Sequence, residues 1–240
     1  MTEVSATKPR LSIVIPAMNE EEGIGEVLDE IPRKELEEMG YPCEIIVVDG
    51  ESVDRTRDIS REKGARVVIE PRRGYGRAYK TGFEVAQGEL IATGDADTTY
   101  PFDKLPEYIR LFEREGLDFL TGNRFGKLQP GAMSAKHKFG NWVLSTTGRV
   151  LFLANIQDSQ SGMWIFKRSI LPKLTLTSDG MPLSEEIKIE AFTQPDLKCK
   201  EIPIEYRQRV GDVKLSSWKD GWRNMSFLFK KRFGLAEPES

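Results

Sequence analysis

Three runs of strand-type residues, each ending on a polar cluster, constrain what this chain can fold into more than any other feature. Residues 11–16 (Leu-Ser-Ile-Val-Ile-Pro) run into Ala17-Met18-Asn19, residues 44–49 end on Asp49-Gly50, and residues 90–94 lead straight into Asp95-Ala96-Asp97. Between them lie stretches with helical spacing. Ile24, Val27, Leu28 and Ile31 mark one apolar face, and residues 54–63 and 76–87 predict two further helices. Asn19 is placed to cap the first helix, and Glu20, Glu21 and Glu22 suit its positive end. Another strand is expected over 66–70. Continuous Ile/Val strands joined by helices predict an α/β fold, a mostly parallel sheet with helices on both faces. Ligands of such sheets bind beyond the carboxyl ends of the strands, so the three polar clusters are expected to share one rim.

The second half is less regular. Leu105, Ile109 and Phe112 mark a helix, and a strand follows near 119–122. Residues 136–153 read as a helix with Phe139, Trp142, Val143, Thr146 and Val150 on one side. Strands are expected at 161–167 and 200–206, separated by a helix over 183–192. The expected organisation is a flexible tail over 1–10, one domain over 11–215, and an amphipathic helix with its tail over 216–240. A chain of 240 residues with 39% hydrophobic content can bury one ordinary core. The net charge of -3 is close to balanced and gives no argument for nucleic acid as a partner, so none is expected. Cys43 and Cys199 match no metal or redox spacing and read as thiols in a reducing compartment. The polar start lacks the apolar core of a secretory leader, and no stretch approaches the roughly 18 to 20 apolar residues that span a bilayer. The expectation is a cytosolic or peripheral protein.

Asp95 and Asp97, directly after a strand, offer hard oxygen ligands for a divalent cation and leave positions open for phosphates. Taken alone, such a triplet is as readily a solvated turn; its company at the strand ends favours the metal. Asp49 can accept hydrogen bonds from a nucleotide base, while Ser52 or Asp54 caps the helix that follows. Gly74-Tyr75-Gly76-Arg77-Ala78 invites a dinucleotide reading, but Tyr79 stands where a third glycine or alanine is needed. Two readings remain: a backbone that approaches a diphosphate beside Arg72, Arg73, Arg77 and Lys80, or a basic surface turn. His137 is the sole histidine, too few for a zinc site or a Ser-His-Asp triad. It is either a partly exposed helix residue or a contact for an acceptor phosphate.

Residues 14–21 (Val-Ile-Pro-Ala-Met-Asn-Glu-Glu), 48–56 (Val-Asp-Gly-Glu-Ser-Val-Asp-Arg-Thr) and 94–97 (Gly-Asp-Ala-Asp) together resemble the ordered motifs of family-2 glycosyltransferases. Residues 158–162 (Asp-Ser-Gln-Ser-Gly) and 209–215 (Arg-Val-Gly-Asp-Val-Lys-Leu) narrow the resemblance to the dolichol-phosphate and polyprenyl-phosphate hexosyltransferases. The resemblance implies a GT-A fold, a Rossmann-like sheet, and inverting transfer of a hexose from a nucleotide-diphosphate sugar to a lipid phosphate for glycan assembly. It implies that Pro16, Ala17, Asn19, Glu20 and Asp49 line the nucleotide pocket; on the diphosphate reading of the glycine turn Gly76 and Arg77 join them at the donor, with Ala96 between the two acids. Asp95 and Asp97 handle Mn2+ or Mg2+ and the diphosphate, and Arg124 contacts phosphate or sugar. Asp158 and Gln160 face the sugar and acceptor, and Arg209 and Lys214 close over the two phosphates. Mannosyl members carry a glutamine two residues after the second aspartate; here Thr99 stands there. Val213 replaces the usual serine before the lysine. Gly131-Ala132-Met133, His137 and Gly140-Asn141 look more like the branch that uses UDP-sugars, which brings His137, Lys138 and Asn141 forward as acceptor-phosphate contacts.

A phosphate monoester has a second pKa near 6, so a polyprenyl phosphate is already nucleophilic at neutral pH. Asp158 is therefore expected to position rather than to remove a proton. Trp218, Trp222, Met225 and Phe229 recur at helical spacing, flanked by Lys219, Arg223, Lys230, Lys231 and Arg232. That pattern suits a helix on the cytoplasmic surface of an anionic membrane, and equally one packed on the domain. Two other functions remain: transfer to a soluble or glycan hydroxyl, with Asp158 or Glu185 as base, and a non-catalytic nucleotide-binding module.

Overall fold

The structure is a computed structural model and describes residues 8–211 and 217–237, with side chains of the last segment from residue 220. Seven strands form one sheet: β1 (Leu11–Ala17), β2 (Cys43–Asp49), β3 (Arg66–Ile69), β4 (Leu90–Thr93), β5 (Phe119–Leu128), β6 (Trp164–Lys167) and β7 (Cys199–Tyr206). The helices are α1 (Ile24–Glu30), α2 (Arg33–Glu38), α3 (Thr56–Glu62), α4 (Tyr75–Val85), α5 (Leu105–Glu115), α6 (Ala135–Phe152), α7 (Leu183–Thr193) and α8 (Ser217–Arg232). Short 3-10 turns precede α5 and follow β6.

The strand order is β3-β2-β1-β4-β6-β5-β7. β1 pairs in parallel with β2 and β4, β2 with β3, and β5 with β7; β6 alone runs antiparallel, between β4 and β5. The mostly parallel sheet expected from the sequence is what forms. β1 to β3 build outward on one side and the chain then crosses to β4 on the other side of β1, so a switch point lies between β1 and β4. Open α/β sheets bind their ligands at such a point.

The central strands are buried on both faces, which explains their uninterrupted Ile/Val runs. Ile13, Ile15 and Val47 pack with Ile24, Leu28 and Ile109 on one side, and Val14, Val48 and Ile91 with Tyr79, Phe83 and Leu183 on the other. α8 joins through a smaller cluster in which Leu228 meets Leu144 of α6 and Ile189 of α7.

Several details differ from expectation. α2 has no apolar stripe beyond Leu36 to announce it. The cap of α1 is Gly23, with no side-chain hydrogen bond, because the Asn19 side chain is engaged elsewhere. α3 starts at Thr56 and no side chain caps it at Arg55; Asp54 instead accepts from the Thr56 N–H at 3.0 Å, and Ser52 takes no part. β6 starts later than 161 because residues 158–162 form a loop, and β5 runs on to Leu128 along β7. Cys43 and Cys199 are free thiols.

Candidate active site

The carboxyl ends of β1, β2 and β4 are stitched into one rim by short polar contacts. Gly50 N–H donates to the Ala17 carbonyl at 2.9 Å, next to Pro16. Asn19 donates its N–H to Ser52 Oγ at 2.9 Å and accepts from Val53 N–H at 2.8 Å through Oδ1. Glu20 N–H donates to Thr56 Oγ1 at 2.8 Å. Asn19, Glu51 and Thr98 all carry positive φ, at 54°, 62° and 67°. Non-glycine residues held in that region store strain, and such residues cluster at functional sites.

Asp49 is fully buried at the end of β2. Its Oδ1 accepts from Ser52 N–H at 3.1 Å and lies 3.6 Å from Arg57 Nε, whereas Oδ2 has no hydrogen-bond partner. A buried carboxylate oxygen with nothing to accept is costly, and the N–H of a nucleotide base would satisfy it.

The acidic pair closes the rim beyond β4. Asp95 Oδ1 accepts from the Tyr75 hydroxyl at 3.1 Å and the Tyr79 hydroxyl at 3.4 Å. Burial, helped by the negative charge of Asp97, pushes the Asp95 carboxyl up to about 7. Asp97 is buried; its Oδ1 accepts from Thr99 Oγ1 at 2.6 Å and its Oδ2 lies 2.8 Å from an Arg209 terminal nitrogen. The other terminal nitrogen of Arg209 donates to Glu20 Oε1 at 2.9 Å. Ala96 between them packs against the start of α1. Two hard carboxylates that repel each other form a donor set suited to a divalent cation whose remaining positions are taken by phosphate and water. No group of three or more His, Cys, Asp or Glu suited to a metal occurs among the described residues, which would supply this pair.

Other expected residues are placed differently. Gly74 and Gly76 serve packing: a Cβ at Gly74 would overlap the Asp179 carbonyl oxygen, and one at Gly76 would lie 2.7 Å from that of Ser178. Arg77 is held between Glu70 at 3.5 Å and Asp179 at 3.8 Å, Lys80 pairs with Asp179, and Arg72 pairs with Glu70. These three cations are held by two acids of the fold, Glu70 and Asp179, in a turn packed against residues 178–180. Arg124 and Asp158 find each other. Arg124 Nε and a terminal nitrogen each donate at 2.8 Å to the two Asp158 oxygens, and the guanidinium lies over the Tyr206 ring. Burial disfavours the Asp158 charge, but Arg124 outweighs it and holds the carboxyl below its ordinary range. Gln160 is likewise occupied, donating to Glu185 at 2.8 Å and accepting from Asn224 at 2.7 Å. His137, Lys138 and Asn141 sit on the first two turns of α6, the first two exposed. Lys214 lies outside the described residues.

Sequence reasoning missed Tyr75, Arg57, Lys188 and Asn224. Tyr79, whose presence broke the dinucleotide spacing, is a buried hydroxyl beside Asp95, one turn after Tyr75. Lys188 is fully buried and donates to the Asp158 carbonyl at 2.6 Å.

Known proteins place this arrangement. The family described as "Glycosyl transferase family 2" matches residues 12–175. The chain is 40% identical over 223 residues to a "Low-salt glycan biosynthesis hexosyltransferase Agl6" of Haloferax volcanii, covering 92% of this chain but 53% of that protein, so it spans about half its length. It is 33% identical to a "Dolichyl-phosphate hexose transferase" of the same organism, covering 88% of this chain and 89% of the relative. A crystal structure of glucosyl-3-phosphoglycerate synthase from Mycobacterium tuberculosis, in complex with Mn2+, UDP and glucosyl-3-phosphoglycerate, superposes with a TM-score of 0.71 at 22% identity, over 98% of this chain and 82% of that one. That likeness establishes the shared GT-A architecture. With its parallel strands ending on Asp49 and on the Asp95–Asp97 pair, the chain belongs to glycosyl transferase family 2.

Proposed function

We propose that this transferase moves a hexose from a nucleotide-diphosphate sugar, a UDP-sugar or GDP-mannose, to a polyprenyl (dolichyl) phosphate with inversion, at the cytoplasmic face of a membrane. The observation that carries the reading is the shared rim: an unpartnered Asp49 oxygen for a base, and Asp95, Asp97 and Arg209 for phosphates. The names of the Haloferax volcanii relatives support hexosyl transfer and a dolichyl-phosphate acceptor.

Asp49 binds the base, and the loops stitched by Asn19 and Ser52 hold the nucleoside. Bound at Asp95 and Asp97, Mn2+ or Mg2+ supplies positive charge against the departing diphosphate. Arg209 adds its own charge there and is the nearest cation to the pair on the chain segment approaching Lys214. The acceptor phosphate attacks the anomeric carbon from the opposite side, and with its second pKa near 6 it needs no proton removed. The carboxyl groups support that choice. Asp158 is locked to Arg124, and Glu185 Oε2 accepts from Gln160 Nε2 at 2.8 Å, so each carboxyl that a hydroxyl acceptor would need as its base is tied to a side chain of the fold.

Membrane contact has its own support. Phe139 and Trp142 of α6 stack at 6.1 Å and are 67% and 56% exposed; Trp222 of α8 is 75% exposed, with Arg223 and Lys230 beside it on the surface. Aromatics with flanking cations suit a headgroup region. Among the described residues no helix is long and apolar enough to cross a membrane.

The test is transfer from a panel of UDP-hexoses and GDP-mannose to a short-chain polyprenyl phosphate, with and without Mn2+, against free sugars as acceptors. Mn2+-dependent lipid product is expected; product only on a free sugar overturns the acceptor, and nucleotide binding without turnover overturns the enzyme.

A further inference from the structure

α8 carries two stripes. Asn224, Leu228 and Lys231 follow one another at helical spacing and are turned into the domain, whereas Trp222 and Phe229, one heptad apart, are exposed. The inward stripe reaches the crevice. Asn224 is 3% exposed and its Nδ2 donates to Gln160 Oε1 at 2.7 Å. Gln160 donates onward from Nε2 to Glu185 Oε2 at 2.8 Å and to Ser159 Oγ at 3.1 Å, and its backbone N–H donates to Asp158 Oδ1 at 3.2 Å. The donors and the carbonyl of its amide are all engaged, so Gln160 acts as a hub within the 158–162 loop. That loop abuts the acidic pair: a Cβ on Gly162 would overlap the Tyr75 hydroxyl and lie 3.5 Å from Asp95 Oδ1.

A second tie runs parallel to the first. Lys231 Nζ donates to Glu186 Oε1 at 2.8 Å and to the Thr175 carbonyl at 2.7 Å. Glu186, fully buried, accepts from the N–H groups of Thr177 and Ser178, each at 2.9 Å. The next carbonyls, Asp179 and Gly180, accept from Arg77 and Gly76 at 2.9 and 3.2 Å, at the start of the helix whose Tyr75 donates to Asp95. Hydrogen bonds therefore lead from α8 to both flanks of Asp95.

We propose that Asn224 is a positioning residue for glycosyl transfer. From α8 it fixes Gln160, and through Gln160 it holds the 158–162 loop against Asp95, so the helix with the exposed aromatic stripe also sets the geometry on the acceptor side. This rests on the transfer reading given above. Without the Asn224 donor, Gln160 Oε1 is left unpaired in a buried site, where an unmade hydrogen bond is costly. The loop then relaxes to another arrangement, and reaction rates are sensitive to displacements of an ångström.

Asn224→Asp is the informative variant, because it keeps the shape and replaces the donor with a titrating carboxyl. At neutral pH its carboxylate opposes the Gln160 carbonyl; on acidification the protonated form donates again. The expected result at neutral pH is a fall of about tenfold in kcat/KM for a short-chain polyprenyl phosphate, equivalent to one lost hydrogen bond, with the Kd for nucleoside diphosphate within about twofold of wild type. The ratio of variant to wild-type activity should recover as the pH is lowered toward about 5, since burial raises a carboxyl pKa. Asn224→Leu, which has no titrating group, should show the same fall without recovery, and it carries the test if the aspartate variant does not fold. Unchanged kcat/KM in either folded variant, a ratio flat with pH in Asn224→Asp, or equal loss of nucleotide affinity would overturn the positioning role. A wild-type protein that transfers nothing to polyprenyl phosphate would instead overturn the transfer reading, and this inference with it.

Discussion

Arg209 closes on Asp97, its terminal nitrogen 2.8 Å from Oδ2. The same guanidinium reaches Glu20 at 2.9 Å, so one side chain joins the strand-end motif of β1 to that of β4. Any cation and diphosphate bound at the pair must share Asp97 with this arginine. Asp97→Ala removes the oxygen that both would use. The expected outcome is a loss of Mn2+-dependent transfer of at least about 100-fold, with the far-UV circular dichroism of the wild type. Residual turnover that no longer responds to chelation would be read by assaying the variant with and without EDTA. Wild-type turnover in this variant would remove the metal role of the pair.

Asp49 makes a separate prediction about the nucleotide. Its Oδ2 is buried and unpartnered while Oδ1 is tied to Ser52 and faces Arg57. Asp49→Asn keeps the volume and turns one acceptor into a donor. A hydrogen bond to a charged group is worth about 1.5–3 kcal/mol, so the Kd for the preferred nucleoside diphosphate should rise roughly 10- to 100-fold, with kcat at saturating donor close to wild type. Isothermal titration calorimetry measures it directly. Equal affinity in the two proteins would place the base elsewhere.

The features legible in the sequence are those set locally. Strand runs and the acids that end them are set within a few positions, and the sheet's switch point then brings Asp49, Asp95 and Asp97 to one rim. What the sequence does not carry is the partner that lies far off in the chain. Asn19 does not cap α1 because its side chain bonds Val53, 34 residues on. The turn that packs against the glycines at 74 and 76 comes from residues 178–180, which no local pattern announces. Arg124 and Asp158, each a candidate for a ligand, also bind each other across 34 residues. Asn224 sits in a pattern whose aromatic neighbours carried the signal, and nothing local distinguishes it.

The Arg124–Asp158 pair sets a prediction about stability and pH. Removing one partner of a buried pair leaves the other charge uncompensated, so Arg124→Met should cost about 3–5 kcal/mol in urea unfolding at neutral pH. Asp158 is held below its ordinary range by Arg124 despite the opposing effect of burial. Its contribution is therefore complete above the unfolded carboxyl value of about 4 and is lost as the pH falls through the lower folded value. In the variant the carboxyl rises instead of falling, so the gap between wild type and variant should begin to narrow above about 4, as the variant's carboxyl protonates, and narrow further below it. A gap that stays constant from neutral pH to that region would mean that Asp158 is not the group responsible.

The exposed stripe of α8 makes the last prediction, independent of the inward one. Trp222 and Phe229 are 75% and 45% exposed, and Arg223 and Lys230 are exposed beside them. Aromatic rings offer area to the headgroup boundary, and cations near an anionic surface contribute about 1 kcal/mol each. Sedimentation with vesicles containing anionic lipid should therefore capture the wild type, and capture should weaken as salt is raised, because the cationic part is screened. A Trp222→Ala/Phe229→Ala double variant should lose most of that binding while turning over a water-soluble short-chain acceptor at the wild-type rate. The two readouts separate the faces of the helix: vesicle capture reports the outer stripe, and turnover reports the inward one. Capture by neutral and anionic vesicles alike, insensitive to salt, would leave the cations without a role; undiminished capture of the double variant would move the membrane contact off α8 altogether.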